Sequence, residues 1–173
     1  FNGNKIITTG GGGAIFGSQE DIDKVRHVAT TAKRPHKYEY YHDVVGYNYR
    51  MPNINAALGL AQLLRFDTIL NKKKELFKSY SEIFYNTEYD LIEASSNTMT
   101  NNWLISIKCK SLADRDKAVE YFNKYGIGAR PVWRLLSDLP MYANCPHGDL
   151  IESKIVERTL LNLPSSIPTH KFN

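Results

Sequence analysis

A run of four consecutive glycines, Gly10 to Gly13, limits the possible folds of this chain more than any other feature of its sequence. Because glycine has no Cβ, such a run favours a tight turn or the close approach of the backbone to a ligand. The flanking segments, residues 5–9 and 14–16, are rich in β-prone residues. The pattern therefore predicts a β-hairpin with a glycine turn.

Lys5 opens the first of these segments. A lysine at a strand edge is usually solvated and blocks pairing with other chains, and this interpretation stays open when Lys5 is considered alone. The glycine run matches neither the phosphate loop that ends in Gly-Lys-Ser/Thr nor the dinucleotide fingerprint that opens a helix. By itself, the glycine run is a weak indication of a binding site.

The next segments predict a helix and a long loop. Ser18 and Asp21 have the spacing of a helix N-cap, and apolar residues continue one helical face to about Ala32. Residues 33–52 contain five tyrosines and two histidines and predict a loop. Loops of this length are uncommon in compact domains and tend to be functional.

A single long helix is predicted from Asn53 to about Phe84, and small residues near its start, such as Gly59, allow close approach of another helix or a neighbouring chain. The pattern then changes to two strands, a helix ended by Gly126, an extended segment, a final helix and an exit loop. These elements are residues 89–94, 103–109, 114–125, 127–133, 150–161 and 163–166. Their order, β-β-α-β-α, predicts a small α+β domain.

The composition is that of a globular protein, with 42% hydrophobic and 23% charged residues. No apolar run approaches the roughly 20 residues that span a bilayer, and the net charge of +4 is too small to indicate nucleic acid as a partner. Lys72 to Lys74 are interpreted as a solvated helix face. Cys109 and Cys145 have no metal-ligand spacing. Cys109 is expected in the core, and reduced thiols predict a cytoplasmic protein.

Two ordered motifs give the sequence its strongest resemblance to a known family. Residues 2–13 read Asn-Gly-Asn-Lys-Ile-Ile-Thr-Thr before four glycines, and residues 46–51 read Gly-Tyr-Asn-Tyr-Arg-Met, with Ala-Ala-Leu-Gly at 56–59. Together they resemble the DegT/DnrJ/EryC1/StrS family of pyridoxal phosphate (PLP)-dependent sugar aminotransferases. The resemblance implies an α/β fold, the C-terminal part of the aspartate aminotransferase-like (fold type I) architecture. Residues 1–86 would be the remainder of the large PLP-binding domain, and residues 87–173 a small α+β domain.

A third motif narrows the implied substrate. Residues 126–133, Gly-Ile-Gly-Ala-Arg-Pro-Val-Trp, and Leu-Pro-Ser-Ser at 163–166 resemble the branch that acts on UDP-linked 4-keto-6-deoxy-N-acetylhexosamines, of the bacillosamine and legionaminic acid type. The implied reaction moves an amino group, from glutamate as donor, to the 4-keto carbon of a nucleotide-linked deoxy sugar. The alternative is an inactive fragment of the same ancestry that serves as a ligand-binding or dimerisation module.

The resemblance also assigns residues to the cofactor. It implies that Lys5 binds PLP covalently and is the catalytic residue, with Asn4 beside the cofactor. Sister enzymes that remove a hydroxyl group carry histidine at this position, so lysine favours transamination. Asn48 corresponds to the asparagine that reaches the PLP phosphate of the neighbouring subunit, which implies a homodimer with shared active sites. A turn-stabilising asparagine is the alternative.

Four further residues are candidates for substrate binding, each with a structural alternative. Arg50 suits an oxyanion of the substrate or of phosphate, or a structural ion pair. His42 lies just before the second motif and either lines the sugar pocket or belongs to an interface. Arg130 and Trp133 either hold the donor carboxylate or the nucleotide, or are a surface arginine and a packing tryptophan.

The chain departs from the family in two respects. Position 11 is glycine where many members have glutamate, so the role of that glutamate is not carried over. The family's phosphate-cradling turn, its ring-stacking residue and its aspartate facing the pyridine nitrogen all precede the lysine, and none is in this chain. Because Lys5 lies near the middle of a family chain, we expect the 173-residue chain to be inactive alone.

Overall fold

The computed structural model describes residues 1–167. The chain forms two compact units, Phe1–Asp67 and Thr68–Asn173. Their junction lies inside a helix, whereas the domain boundary expected from the sequence is at residue 86, and that boundary stays a prediction for the whole protein. Among the described residues, no helix is both long enough and apolar enough to cross a membrane.

The first unit contains two helices and a two-stranded ladder, which are α1 (Gln19–Ala29), β1 (Lys33–Arg34), β2 (Tyr41–His42) and α2 (Asn53–Leu63). The predicted N-cap of α1 is confirmed, because the Ser18 hydroxyl accepts the Asp21 N–H at 3.2 Å and donates to the Asp21 carboxylate at 2.6 Å. The helix ends earlier than predicted, where Thr31 and Ala32 adopt φ angles of 68° and 51°. The long predicted loop contains the antiparallel pair of β1 and β2.

The predicted hairpin with a glycine turn is wrong. Residues 1–17 contain no strand in the described structure. The segment folds back on itself, since the Thr9 N–H donates to the Phe1 carbonyl at 3.1 Å. Gly10 and Gly12 have φ angles of 80° and 97°, which side chains with a Cβ rarely adopt. Residues 1–13 therefore form an irregular loop, the lysine loop, in place of two paired strands.

The predicted continuity of the helix from Asn53 to Phe84 is also wrong, because the structure has two helices, α2 and α3 (Phe66–Phe84). A turn at Leu64 and Arg65 separates them. There the Arg65 N–H donates to the Gln62 carbonyl, three residues back, at 3.2 Å, which tightens the end of α2. The break contains no glycine or proline, so the usual sequence signal for the end of a helix is absent.

The second unit is built on an antiparallel sheet of four strands in the order β3-β4-β6-β5. Its elements after α3 are β3 (Asp90–Leu91), β4 (Ile105–Lys108), α4 (Leu112–Lys124), β5 (Arg130–Pro131), α5 (Ile151–Thr159) and β6 (Leu160–Leu163). The predicted order lacks β6, which follows α5 without a loop, so its leucines extend the apolar pattern of the helix. As an inner strand β6 is largely buried, and its apolar residues do not alternate strictly with polar ones.

The core of the second unit lies between this sheet and its helices. It consists of Ile107, Cys109, Ala118, Ala129, Leu161 and Leu163, with Tyr80 and Phe84 of α3 packed against it. Cys109 is 1% exposed, in agreement with the core position expected from the sequence. Burial raises the pKa of its thiol, which keeps the group neutral and unreactive.

Lys73 corrects the prediction of a fully solvated lysine face on α3. Its two neighbours, Lys72 and Lys74, are exposed, but Lys73 is only 6% exposed. The Lys73 Nζ donates to the Ser165 carbonyl and, at 3.4 Å, to the Trp103 carbonyl. Burial lowers the pKa of this lysine. Lys73 therefore links α3 to two loops at one end of the central strand pair, the loop before β4 and the loop after β6.

Ser165 extends this buried polar group, because its hydroxyl accepts the Ile105 N–H at 2.8 Å and donates to the Leu163 carbonyl at 2.8 Å. We expect Ser165→Ala to lower the free energy of unfolding by about 1–3 kcal/mol, since a buried N–H loses its acceptor. Urea denaturation followed by tryptophan fluorescence checks this, because both tryptophans lie in the second unit. The matched control is Ser166→Ala at an exposed neighbour, expected to change the value by less than about 0.5 kcal/mol. Equal effects would contradict the role of Ser165.

Candidate active site

The lysine loop is fixed to α2 by Thr9, which is 3% exposed. The Asn55 side-chain amide donates to the Thr9 carbonyl at 2.5 Å, and the Thr9 hydroxyl donates to the Gly11 carbonyl. A Cβ at Gly59 would lie 2.7 Å from the Thr9 Cγ2, so this approach requires glycine. In this structure, the segment that approaches Gly59 closely is therefore the lysine loop of the same chain.

Lys5 and Asn4 are exposed residues of the lysine loop. The Lys5 N–H donates to the Asn2 carbonyl at 3.1 Å, so the main chain is held in a turn at this point. A Cβ added at Gly3 or Gly11 would meet no atom within 4 Å, which means that open space lies beside the backbone. The loop thus presents an amine and an amide next to a glycine-rich surface.

Residues 43–50, which we name the Asn48 loop, contain residues 46–50 of the second motif and pair with the end of α1. The N–H groups of Tyr47 and Tyr49 donate to the Val28 and Ala29 carbonyls of that helix at 2.7 and 2.8 Å. Asn48 forms an antiparallel bridge with Thr30 and is exposed. The backbone at Asn48 is therefore fixed, while its side chain faces outward from the pairing.

His42 and Gly46 contact the turn at Thr31 and Ala32. A Cβ at Gly46 would lie 2.4 Å from the Thr31 carbonyl carbon and 2.6 Å from the Ala32 nitrogen, so no other residue fits there. The His42 Nδ1 lies 2.7 Å from the Thr31 carbonyl oxygen. Because a carbonyl oxygen can only accept, this nitrogen carries the proton and the hydrogen bond orients the ring.

Sequence reasoning missed Asp43, whose carboxylate contacts two basic side chains. The His27 Nε2–H donates to one carboxylate oxygen at 2.6 Å, and the Arg34 Nε–H donates to the other at 2.5 Å. The hydrogen bond from His27, followed by that from Arg34, lowers the pKa of the Asp43 carboxyl. The partners lie 16 and 9 residues earlier in the sequence. The only signal in the sequence is an acid three residues before the second motif.

The remaining candidates are divided between the two units. Arg50 is an exposed residue of the first unit, which also contains Asn4, Lys5, His42 and Asn48. Arg130 and Trp133 belong to the second unit. Arg130 is exposed in β5, opposite Asn162 of β6. Trp133 stacks on Trp103 with ring centroids 6.1 Å apart and 24° between the planes, yet it is 65% exposed. One face of Trp133 thus packs, as the structural alternative expects, and most of the ring stays open.

The chain belongs to the DegT/DnrJ/EryC1/StrS aminotransferase family, which it matches over residues 1–170. Within the matched range, the first unit contains a lysine on a glycine-rich loop and an asparagine on a second loop that is fixed by backbone pairing. Aminotransferases of this family depend on PLP, and structures of similar fold include PLP and PMP forms. The resemblance seen in the sequence and its cofactor are thereby confirmed.

Two curated relatives and one solved structure illustrate the similarity. GDP-perosamine synthase of Escherichia coli O157:H7 is 34% identical over 144 residues, which cover 83% of this chain and 39% of the relative. UDP-4-amino-4,6-dideoxy-N-acetyl-beta-L-altrosamine transaminase of Campylobacter jejuni subsp. jejuni serotype O:2 is 35% identical over 96 residues, covering 51% of this chain and 24% of the relative. Helicobacter pylori PseC, an aminotransferase involved in the biosynthesis of pseudoaminic acid, is similar in structure, with a TM-score of 0.77 at 20% identity.

These similarities define the fold and the extent of the match. PseC is matched over 85% of this chain and 41% of its own, and the fold of the chain is that of the C-terminal part of fold type I PLP-dependent aminotransferases, as predicted. The chain spans less than half the length of the curated relatives that it matches.

The residues of the first unit fit PLP as a ligand. The aldehyde of PLP requires an amine, and its phosphate requires neutral or cationic hydrogen-bond donors. Lys5 would supply the amine, and Asn4 and Asn48 would supply amides on loops whose backbones are fixed. The open space beside Gly3 and Gly11 admits a planar ligand close to the main chain. These groups are of the chemical types that would hold the aldehyde and the phosphate of PLP.

The packing of Thr9 against Gly59 predicts that the effect of Gly59→Ala on the free energy of unfolding changes sign with the residue at position 9. Alanine is a better helix former than glycine by about 1 kcal/mol, but overpacking costs about 1–3 kcal/mol, so we expect Gly59→Ala to lower the free energy of unfolding in the native background. In a Thr9→Ser background, which removes the Cγ2 and keeps the hydroxyl, Gly59→Ala should raise it by up to about 1 kcal/mol. Urea denaturation followed by circular dichroism checks both values. If the effects of Thr9→Ser and Gly59→Ala on the free energy of unfolding are additive, the contact with Thr9 does not restrict the size of residue 59.

Proposed function

We propose that the whole protein is a PLP-dependent transaminase that moves an amino group, from glutamate, to the 4-keto carbon of a nucleotide-linked deoxy sugar. The observation that carries the proposal is the exposed position of Lys5 on a loop held in place by α2, in a chain of a sugar aminotransferase family. The names of the relatives support the substrate class, since one is a GDP-perosamine synthase and another a UDP-amino-sugar transaminase.

Lys5 is proposed to hold the cofactor through its Nζ and to move a proton during the reaction. Both tasks need a neutral amine, since only a free electron pair on nitrogen can bond to the cofactor or accept a proton. PLP, when bound, supplies the electron sink for the carbanion chemistry. With the cofactor bound, the free Nζ of Lys5 would accept a proton from the donor carbon and would later donate one to the sugar carbon. A histidine here could not hold the cofactor covalently, so lysine supports transamination.

Asn48 is proposed to bind the PLP phosphate of a second subunit, so that the active protein is a homodimer with shared sites. The start of the Asn48 loop and the segment before it expose many apolar and aromatic side chains, namely Tyr38, Tyr40, Tyr41, Val44 and Val45. Tyrosine is enriched at protein interfaces, and charged residues are depleted from their centres. This composition supports a contact with a second copy of the chain.

Four side chains are proposed to bind the substrates. His42 precedes the Asn48 loop and Arg50 is the last residue of that loop. The hydrogen bond of His42 Nδ1 to the Thr31 carbonyl leaves the His42 Nε2 to accept a hydrogen bond from a sugar hydroxyl. The Arg130 guanidinium suits a carboxylate or a phosphate, and the open face of Trp133 suits a nucleotide base. The proposed sugar is a UDP-linked 4-keto-6-deoxy-N-acetylhexosamine of the bacillosamine or legionaminic acid type, used in the cytoplasm.

An inactive ligand-binding or dimerisation module is the second candidate function, and it applies to the 173-residue chain taken alone. One observation favours it: the chain covers 39% of GDP-perosamine synthase. The acid that protonates the pyridine nitrogen in the family precedes the lysine and is not in this chain. We therefore propose that the chain alone does not catalyse transamination. The absence of a borohydride-trapped adduct on Lys5 would support this, and amino transfer from glutamate to PLP by the chain alone would contradict it.

In the whole protein, we expect Lys5→Ala to abolish turnover and the visible absorbance of lysine-bound PLP, because no other group takes over its covalent bond. The measurements are the absorbance spectrum, mass spectrometry after borohydride reduction, and size-exclusion chromatography. Lys72→Ala is the matched control, since Lys72 is exposed on α3, and it should retain both properties. Loss of the dimer in Lys5→Ala would indicate that Lys5 has a structural role instead.

For Asn48→Ala in the whole protein, we expect the Kd for PLP to rise by about 10-fold or more, because a hydrogen bond to a charged group contributes roughly 1.5–3 kcal/mol. Unfolding should change by less than about 0.5 kcal/mol, since the exposed side chain is not the part that pairs with Thr30. Equilibrium titration of the apo protein with PLP measures the Kd, and Asn71→Ala on α3 serves as the exposed control. An unchanged Kd would remove Asn48 from the phosphate site.

A further inference from the structure

We propose that Asp43 is a positioning residue, which sets the Asn48 loop against α1 so that Asn48 can reach a phosphate group. It does this by accepting hydrogen bonds from His27 and Arg34 at the same time. The inference rests on the proposed function, because it extends the role proposed for Asn48. We name this three-residue arrangement the Asp43 clamp.

The Asp43 clamp joins three separate segments of the first unit. His27 is in the last turn of α1, Arg34 is in β1, and Asp43 is the first residue after β2. Each carboxylate oxygen has its own donor, at 2.6 Å from His27 and 2.5 Å from Arg34. Two charge-assisted hydrogen bonds to one carboxylate fix its orientation as well as its position. The Asp43 side chain is 20% exposed, so solvent screens these contacts less than those of a fully exposed pair.

The residues after Asp43 show why the loop needs such an anchor. Val44 and Val45 are exposed, so they give the loop no buried apolar contact at its start. Gly46 fits only where the backbone touches the turn after α1, and the N–H groups of Tyr47 and Tyr49 pair with carbonyls of that helix. The Asn48 loop is therefore held by backbone pairing at its end and by the Asp43 carboxylate at its start.

The Asp43 clamp also fixes the position of His42, the residue before Asp43. Pairing of β1 with β2 places Lys33 opposite His42 and Arg34 opposite Tyr41. Because Arg34 donates to Asp43 across this ladder, the clamp holds the two strands together at their open end. The hydrogen bond between His42 and the Thr31 carbonyl depends on the same placement. Asp43 thus positions two candidate site residues, His42 and Asn48, without touching the cofactor itself.

The test uses the whole protein and the isosteric change Asp43→Asn, which removes the charge and keeps the shape. We expect the Kd for PLP to rise about 10-fold, as for the loss of a contact to the phosphate. The decisive measurement is the double variant Asp43→Asn with Asn48→Ala, which should bind PLP no more weakly than Asn48→Ala alone. A purely structural role would make the two effects multiply, and that result would overturn the proposal.

Two further variants keep this test interpretable. Asp23→Asn makes the same chemical change at an exposed residue of α1 that pairs with Arg26, and it should leave the Kd unchanged. Arg34→Gln removes the more exposed donor of the clamp and should raise the Kd about 3-fold, less than Asp43→Asn does, because the bond from His27 remains. A normal Kd in both Asp43→Asn and Arg34→Gln would contradict the proposal.

Hydrogen exchange separates failure of this inference from failure of the proposed function. The amide hydrogens of Tyr47 and Tyr49 are bonded to α1, so in the apo protein they should exchange about 10-fold faster in Asp43→Asn than in the native protein. If the native protein does not bind PLP but exchange still accelerates, the cofactor role fails while the clamp stands. Unchanged exchange at both amides would overturn the clamp, whatever the affinity for PLP.

Discussion

The contact of Thr9 with α2 fixes the position of the lysine loop, which carries Lys5. Its carbonyl accepts the Asn55 amide, and its methyl group fills the space left by Gly59. The glycines beside it take backbone angles that no other residue adopts readily. Because Thr9 is buried and fixed, the residues before it, including Lys5, can be exposed without being loose. The glycine run and Gly59 of α2 therefore both allow the same packing contact, that of Thr9 with α2.

The Asn48 loop follows the same design with different chemistry. Its backbone pairs with carbonyls at the end of α1, which would otherwise lack partners because a helix leaves its last carbonyls unbonded. The Asn48 side chain, which is proposed to bind phosphate, is exposed beside this pairing, and the carboxylate of Asp43 supplies the second attachment. In both loops a rigid helix holds the main chain while the functional groups stay accessible, which is the arrangement that a preorganised binding site requires.

The sequence predicted what local chemistry determines and failed where distant contacts decide. The N-cap at Ser18 follows from a hydroxyl and an acid three residues apart, and the core position of Cys109 follows from its apolar neighbours. The lysine loop was expected as a hairpin because β-propensity ignores whether a partner strand exists. Lys5 and Asn48 were identified by family resemblance, whereas Asp43 needs donors that lie far away in the sequence.

Distant contacts also explain why the sequence pattern did not predict β6 in the second unit, and the position of Arg130 depends on that strand. β5 is only two residues long and is held by pairing with β6, so the place of Arg130 depends on a strand that carries no separate sequence signal. Asn162 of β6, opposite Arg130, is itself fixed by a hydrogen bond from Ser106 of β4 at 2.7 Å. A candidate binding residue at the sheet edge thus takes its position from the buried centre of the sheet. A change at Ser106 or Asn162 would act on Arg130 through the backbone, which distinguishes it from a change to the guanidinium itself.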